Sequence, residues 1–248
     1  LLGHYLLDQG PAGDRRLVVN TIVSSPMLGA IAAAHGARFE QVLTGFKWIA
    51  NTALRLEADD AGRFVLGYEE ALGYTVGSLV RDKDGVGTAV RVAEMAAWGK
   101  SQGRNLIDEL ELAWRRYGMY LSRQVSHTLP GSDGAARIAA VMARVREAPP
   151  AALGEHAVVA RADLARGVRI DRDGRESPLG LPPGDVLAMD VEGGHRVMLR
   201  PSGTEPKIKF YFDVRVTIGE GESVEAARRR GDALLDALSA GLAAATGM

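Results

Sequence analysis

Cysteine is absent from the 248 residues of this sequence. Its absence excludes disulfide bonds, thiolate metal sites and thiol nucleophiles, and it is compatible with a reducing cytoplasm. Neither sign of charge is in excess, because 30 lysines and arginines balance 31 aspartates and glutamates. No apolar run approaches the roughly 20 residues that span a bilayer, and no secretory signal is visible. We therefore expect a cytoplasmic protein with no nucleic-acid partner and no membrane contact.

Metal-ligand patterns are also lacking. The five histidines show neither the spacing of a zinc site nor the partners of a catalytic triad. The acidic segment Arg81–Gly85 looks like the start of a calcium loop, but Lys83 interrupts it and the later ligands are missing. A charged turn that caps the next helix is the better interpretation, with a ligand contact as the alternative. The sequence predicts no metal ligand in this chain.

Strands rich in β-branched residues alternate with helices in the first half of the chain. The pattern predicts strands at 16–23, 37–43 and 64–68, and helices at 27–35, 46–57 and 86–98. Asn105 is expected to cap a further helix. This alternation predicts an α/β domain with a mainly parallel sheet, covered on both faces. In such sheets, chemistry gathers in loops beyond the carboxyl ends of the strands.

The remaining sequence predicts a smaller α+β domain at the C-terminal end. Residues 118–133 contain a Pro-Gly-Ser turn and are the expected domain connection and hinge. Helices are predicted at 133–147 and 224–245, with short strands between them. The chain starts without Met on an apolar stretch typical of a helix interior, which suggests a fragment. The expected organisation is a remnant of a preceding domain at 1–14, followed by domains at 15–118 and 119–248.

Two adjacent carboxylates, Glu69 and Glu70, end the third predicted strand among glycines and aromatic residues. Carboxylates accept hydrogen bonds from vicinal hydroxyl pairs, and glycine lets a sugar ring approach the backbone, so both are candidate substrate-binding residues. Neighbouring side chains of a strand point to opposite faces, which favours Glu69 as the one that enters the site. A solvated acidic turn is the alternative.

Lys47 lies in the exit loop of the second predicted strand, within Thr44-Gly45-Phe46-Lys47. A lysine at this edge could pair with phosphate or take part in proton transfer, which makes it the candidate catalytic residue. The alternative is a surface lysine whose stem packs on aromatic neighbours.

The segment Arg200–Pro206 interrupts two predicted strands with turn-forming and hydroxyl residues. Arg200 can donate two parallel hydrogen bonds to a phosphate, and the backbone and side chains of Ser202, Gly203 and Thr204 add further donors. Lys209, on the strand that follows, is a further candidate. An ordinary hairpin turn is the alternative interpretation.

These segments occur in one order, and together they resemble the α-D-phosphohexomutase superfamily of phosphoglucomutases and phosphomannomutases. The chain looks like the third and fourth of the four domains of these enzymes. The resemblance implies that Glu69 binds sugar hydroxyls and that Lys47 lies near the reacting groups. It also implies that the loop at Arg200 holds the phosphate that is not transferred. Ala71 is a departure, because many members have serine there.

The resemblance also implies what this chain lacks. The phosphorylated serine of the family lies in a Thr-Ala-Ser-His-Asn-Pro type loop and its magnesium ligands in an Asp-Gly-Asp-x-Asp-Arg type loop; neither is present. We expect a full-length enzyme that interconverts hexose 1-phosphate and hexose 6-phosphate, with Mg²⁺ and a sugar bisphosphate intermediate. The missing N-terminal domains and a phosphosugar are the expected partners, and this chain alone is expected to be inactive. A phosphopentomutase, an amino-sugar mutase and a non-catalytic phosphosugar-binding module are the alternatives.

Overall fold

The computed structural model describes residues 1–11, 15–70, 72–203 and 205–248. The chain divides into two compact units, Leu1–Met119 and Tyr120–Met248. The second unit is slightly longer than the first, although the sequence predicted a smaller C-terminal domain. Among the described residues, no helix combines the length and apolarity needed to cross a membrane.

The first unit is an α/β domain built on a four-stranded sheet in the order β2-β1-β3-β4. Strand β1 is parallel to both β2 and β3, and only the edge strand β4 is antiparallel, so the mainly parallel sheet is confirmed. The elements are α1 (Leu2–Gln9), β1 (Arg16–Thr21), α2 (Met27–Ala34), β2 (Arg38–Val42), α3 (Phe46–Ala58), β3 (Arg63–Glu69), β4 (Gly73–Val76), α4 (Gly85–Ser101) and α5 (Leu106–Tyr117).

Strand β1 lies at the centre of this unit and is buried on both faces. Leu17, Val18 and Val19 are fully buried. Because side chains alternate along a strand, Val18 packs in one hydrophobic cluster and its two neighbours pack in another. A strand with this burial requires helices on both sides, which explains the alternating sequence pattern.

Helix α1 contributes to the core of the first unit. Its Leu2, Tyr5 and Leu7 are buried in the same cluster as Val18. Residues 1–14 were assigned from the sequence to a preceding domain; in the structure, the helical part of this segment packs on the sheet-bearing unit.

The second unit contains an eight-stranded sheet whose longest path runs β5-β12-β11-β10-β7-β8-β9, with β6 paired to β7. Neighbouring strands from β12 to β9 along this path pair antiparallel. The elements are β5 (Met119–Thr128), α6 (Gly134–Glu147), β6 (Ala152–Leu153), β7 (His156–Asp163), β8 (Val168–Asp171), β9 (Glu176–Pro178), β10 (Leu187–Val191), a 3₁₀ turn (Glu192–Gly194), β11 (His195–Pro201), β12 (Lys207–Val216) and α7 (Val224–Thr246). Buried residues of α6, α7 and the sheet form one core.

The predicted connection at 118–133 is largely regular structure. Ten of its residues, Met119–Thr128, form β5, which pairs with β12. The two units meet in the sequence at the start of this strand. Every second residue of β5 from Leu121 is half-buried and the others are exposed, so the strand has one solvent face, and its weakly apolar sequence did not indicate a strand.

Candidate functional site

The carboxylate of Glu69 is buried at the carboxyl end of β3. Glu69 is 3% exposed, whereas Glu70 is exposed to solvent. One carboxylate oxygen lies 2.9 Å from the Nζ atom of Lys83, and the other accepts a hydrogen bond of 3.1 Å from the backbone N–H of Gly45. These contacts hold a negative charge at the strand edge where the sequence predicted a sugar-binding group.

Lys83 is the ion-pair partner of Glu69, and the sequence did not predict this pairing. Its ammonium group comes from the turn before α4, and a glycine opposite Glu69 makes room for its side chain. A Cβ atom at Gly73 would lie 2.7 Å from Cε of Lys83. The only sequence signal was a lysine within a charged turn, because nothing in the spacing connects that turn with the end of β3.

The loop between β2 and α3 lies next to Glu69. Gly45 has φ of 123°, a conformation that favours glycine, and its N–H points to the carboxylate. The hydroxyl oxygen of Thr44 is buried and has no hydrogen-bond partner among the described residues. A buried hydroxyl normally forms a hydrogen bond. Thr44 therefore offers a hydroxyl that can still form one, next to the glycine that donates to Glu69.

Lys47, the candidate catalytic residue, is exposed on the first turn of α3. Its Nζ atom lies 5.3 Å from the ring centroid of Trp48, a cation–π contact. Glu69 receives its ion pair from Lys83 and its hydrogen bond from Gly45, and no contact with Lys47 is seen among the described residues.

The acidic turn before α4 caps the helix, as the sequence predicted. Asp84 accepts a hydrogen bond of 2.8 Å from the N–H of Gly87, and Asp82 accepts one from the N–H of Lys83. These carboxylates serve backbone donors, and the lysine between them carries the opposite charge. The segment therefore does not fit Mg²⁺, which binds through carboxylates and water in an octahedral arrangement.

Two cations lie side by side on the sheet of the second unit. Arg200 near the end of β11 is directly opposite Lys209 of β12, and both are half-buried. Directly opposite residues share one face of the sheet, and like charges in these positions repel. Among the described residues, neither side chain has an ion-pair partner. Lys209 also interacts electrostatically with Glu205, but that carboxylate is already ion-paired with Lys207. A phosphate group would therefore add a suitable negative charge beside the two cations.

The loop beyond Arg200 is a tight turn. The N–H of Ser202 donates to the carbonyl of Lys207 at 2.7 Å, and Gly203 is exposed at the tip. Glu205 forms an ion pair with Lys207, and the hydrogen bond from that lysine lowers the pKa of the glutamate. Ala71 and the predicted Thr204 lie outside the described residues.

Two histidines that were interpreted as structural lie together in the first unit. His4 Nδ1 and His35 Nε2 are each 3.0 Å from the hydroxyl oxygen of Tyr117. Burial is the main cause that lowers the pKa of both imidazoles. Asp8, four residues after His4, completes a group whose ligand atoms lie within 4.8 Å of one another.

Comparisons with known proteins identify the family of this chain. Residues 1–117 match the family model described as phosphoglucomutase/phosphomannomutase, alpha/beta/alpha domain III. The sequence is 36% identical over 215 residues to a phosphoglucomutase of Staphylococcus epidermidis, a match that covers 86% of this chain. The chain belongs to the phosphoglucomutase/phosphomannomutase family. The resemblance seen in the sequence is thereby confirmed, and the family match includes the segment 1–14.

Other relatives agree with this result. A phosphoglucomutase of Staphylococcus aureus strain USA300 is 34% identical over 217 residues, or 87% of this chain. The open form of the Paramecium phosphoglucomutase pp63/parafusin covers 93% of this chain with a TM-score of 0.60 at 18% identity, which supports the fold. The chain spans 39% of the length of both staphylococcal relatives and 38% of the Paramecium chain.

Proposed function

We propose that this chain is the substrate-recognition part of a phosphohexomutase. The full-length protein would interconvert hexose 1-phosphate and hexose 6-phosphate through a bisphosphorylated sugar, with glucose as the first candidate and mannose as the next. The observation that carries this proposal is the Arg200–Lys209 pair, which presents two cations without a direct ion-pair partner among the described residues, in a chain whose relatives are phosphoglucomutases.

The second unit would bind the phosphate that does not react. Arg200 can donate two parallel hydrogen bonds to phosphate oxygens, and Lys209 adds a point charge on the same face of the sheet. Ser202, Gly203 and Thr204 belong to the loop that follows and are proposed to add hydroxyl and backbone donors. A bound dianion would also relieve the repulsion between the two cations.

The first unit would read the sugar. Glu69 is held by Lys83 and Gly45 and can still accept hydrogen bonds, because a carboxylate has about four lone-pair positions. Thr44 offers a hydroxyl beside it. Glu70 and Lys47 are exposed, and we propose that they contact the phosphosugar from the solvent side, Lys47 near the reacting group.

The catalytic groups of the family are assigned to the missing domains. The loops that carry the phosphorylated serine and the magnesium ligands of the family have no counterpart in this sequence, and the carboxylates of the turn before α4 do not fit Mg²⁺. Mg²⁺ would neutralise charge on the transferred phosphoryl group in the full-length enzyme. This chain would bind, orient and discriminate substrates without turning them over. We also propose a cytoplasmic location, consistent with the absence of cysteine.

An Arg200→Ala change in the full-length protein tests this function. Isomerisation would be measured with glucose, mannose, ribose and N-acetylglucosamine phosphates. Loss of a hydrogen bond to a charged group costs about 1.5–3 kcal/mol, so we expect KM for the preferred hexose phosphate to rise about 10- to 150-fold. Arg172→Ala, in the turn after β8, is the control and should leave KM unchanged.

The result separates the candidate classes. A full-length wild-type protein that isomerises no phosphosugar but binds one would favour the non-catalytic binding module. Preference for ribose or amino-sugar phosphates would change the substrate class. An unchanged KM in Arg200→Ala would remove this arginine from the substrate site.

A further inference from the structure

We propose that His4, Asp8 and His35 form a binding site for a divalent transition-metal ion, of which zinc is the best candidate. Each of the three side chains has a ligand atom within 4.8 Å of the others. Two imidazoles and one carboxylate form a ligand set typical of zinc with three protein ligands and water in the fourth position. This site lies in the first unit and does not depend on the proposed function.

The two segments that carry the ligands are already held together. His4 and Asp8 are four residues apart and so lie on the same side of α1, while His35 follows the last turn of α2. Arg16 of β1 donates to the carbonyl of Leu7 and to the carbonyl of His35, both at 2.6 Å. One guanidinium therefore fixes the backbone of both segments, and little ordering is left for the ion to impose.

Tyr117 positions the two rings. Its hydroxyl oxygen lies 3.0 Å from one nitrogen of His4 and 3.0 Å from one nitrogen of His35. Histidines that bind metals usually donate their second N–H to an oxygen acceptor, which fixes the tautomer and the ring orientation. A phenol oxygen can accept two such bonds. A ring that keeps this hydrogen bond in the ion-bound state would use its other nitrogen as ligand.

Positive charges near the site decide which ion fits. Arg116 lies 3.8 Å from Asp8, but the arginine side chain is well exposed and that of Asp8 is one-third exposed. An ion pair of this kind contributes little to stability. The guanidinium group of Arg16 is also close to the site, because it donates hydrogen bonds to the backbone carbonyls of Leu7 and His35. These guanidinium groups oppose a cation that binds by charge alone. We therefore expect Zn²⁺, which forms strong bonds to imidazole, and not Mg²⁺, which prefers oxygen ligands.

Calorimetric titration of the metal-free 248-residue chain with ZnCl₂ tests the proposal. We expect one Zn²⁺ per chain and no comparable binding of MgCl₂. His4→Gln and His35→Gln should each weaken zinc binding at least tenfold. His127→Gln, which changes a histidine of the second unit, is the control and should bind zinc as the wild type does.

Two further measurements distinguish loss of the metal site from loss of the folded structure. Co²⁺ in place of Zn²⁺ should give visible absorption bands of a four-coordinate ion in the wild type and lose them in His35→Gln. Tyr117→Phe keeps all three ligands and should weaken binding about 10- to 100-fold with unchanged stoichiometry. The absence of saturable zinc binding, or affinity unchanged in both histidine variants, would overturn the proposal.

Discussion

Glu69 shows how a buried charge is held at the edge of a sheet. Its carboxylate has left water almost completely, and the cost is offset by one ammonium group and one backbone N–H. Lys83 is half exposed, so only one member of this ion pair is fully desolvated. The pair therefore differs both from a surface salt bridge and from a fully buried one.

Lys83→Met should reveal the contribution of this ion pair. Methionine keeps the apolar stem beside Gly73 but leaves the carboxylate of Glu69 without its charged partner. We expect the free energy of unfolding to fall by about 1.5–3 kcal/mol, measured by urea denaturation. Arg91→Met breaks an exposed pair with Glu94 and should change stability by about 0.5 kcal/mol or less.

A second substitution identifies the cause. If the loss comes from the unpaired charge, Glu69→Gln in the Lys83→Met background should restore part of the stability, because glutamine can still accept from Gly45 without burying a charge. Equal losses in the single and double variants would attribute the effect to packing of the lysine stem instead.

At this scale, alternation along the strand was enough to choose Glu69 over Glu70 as the inward carboxylate, and the observed burial agrees. Lys83 could not be found in the same way, since its partner lies on another element and only the fold brings them together. His4 and His35 are likewise brought together only by the fold, because they belong to different helical segments. Only the spacing of His4 and Asp8, four residues apart, was visible in the sequence.

Helices were the elements that the sequence indicated best, because their caps are local. Asp84 and Asn105 both accept hydrogen bonds from the first turns that they were expected to cap. Strands at the edge of a sheet were harder to predict. β4 has only four residues, and β5 is half solvated, so neither has the continuous apolar run that marks the buried strand β1.

Helix α7 passes so close to β6 that one position requires glycine. A Cβ atom at Gly241 would lie 2.5 Å from the nitrogen of Gly154 and 2.6 Å from the carbonyl carbon of Leu153. Both are backbone atoms, so the neighbour cannot adjust by rotating a side chain. We expect Gly241→Ala to lower the free energy of unfolding by about 1–3 kcal/mol.

Gly99→Ala in α4 is the matched control. The nearest atom to its added Cβ lies at 3.4 Å, so alanine can be accommodated there. Alanine is favoured over glycine inside a helix by up to about 1 kcal/mol, and we expect a small gain in stability. Chemical denaturation of both variants should give changes of opposite sign; losses of equal size would attribute the Gly241 effect to something other than contact with β6.

The whole chain combines an α/β unit and a sheet-rich α+β unit, as its pattern of segments predicted. Its large features were predictable because each depends on periodicity within one segment. The order of the strands in the second sheet was not, since antiparallel pairing joins segments that are distant in the sequence.

One buried and two half-buried histidines should make the stability of the whole chain depend on pH. Burial is the first cause that lowers the pKa of His4, His35 and His195 from the ordinary value of 6.5. Below 6.5 the unfolded chain binds protons that the folded chain does not yet accept. The stabilisation is therefore complete above pH 6.5 and is lost as the pH falls through the folded-state pKa values. Burial raises the pKa of Asp213 from the ordinary value of 3.8. This carboxylate therefore lowers the stability as the pH rises above about 3.8, because the unfolded chain releases the proton more readily than the folded chain.

His195→Asn isolates one part of this dependence. His195 Nδ1 accepts a hydrogen bond of 3.1 Å from the N–H of Arg215, which a protonated nitrogen cannot do, and the asparagine oxygen can replace this acceptor. Urea denaturation at pH 8 and pH 5.5, with a chelator present, should show a smaller loss on acidification in the variant than in the wild type. The pH 8 values supply the reference, because the imidazole of His195 is neutral there in both the folded and the unfolded state. An equal loss in both proteins would mean that protonation of His195 does not oppose folding.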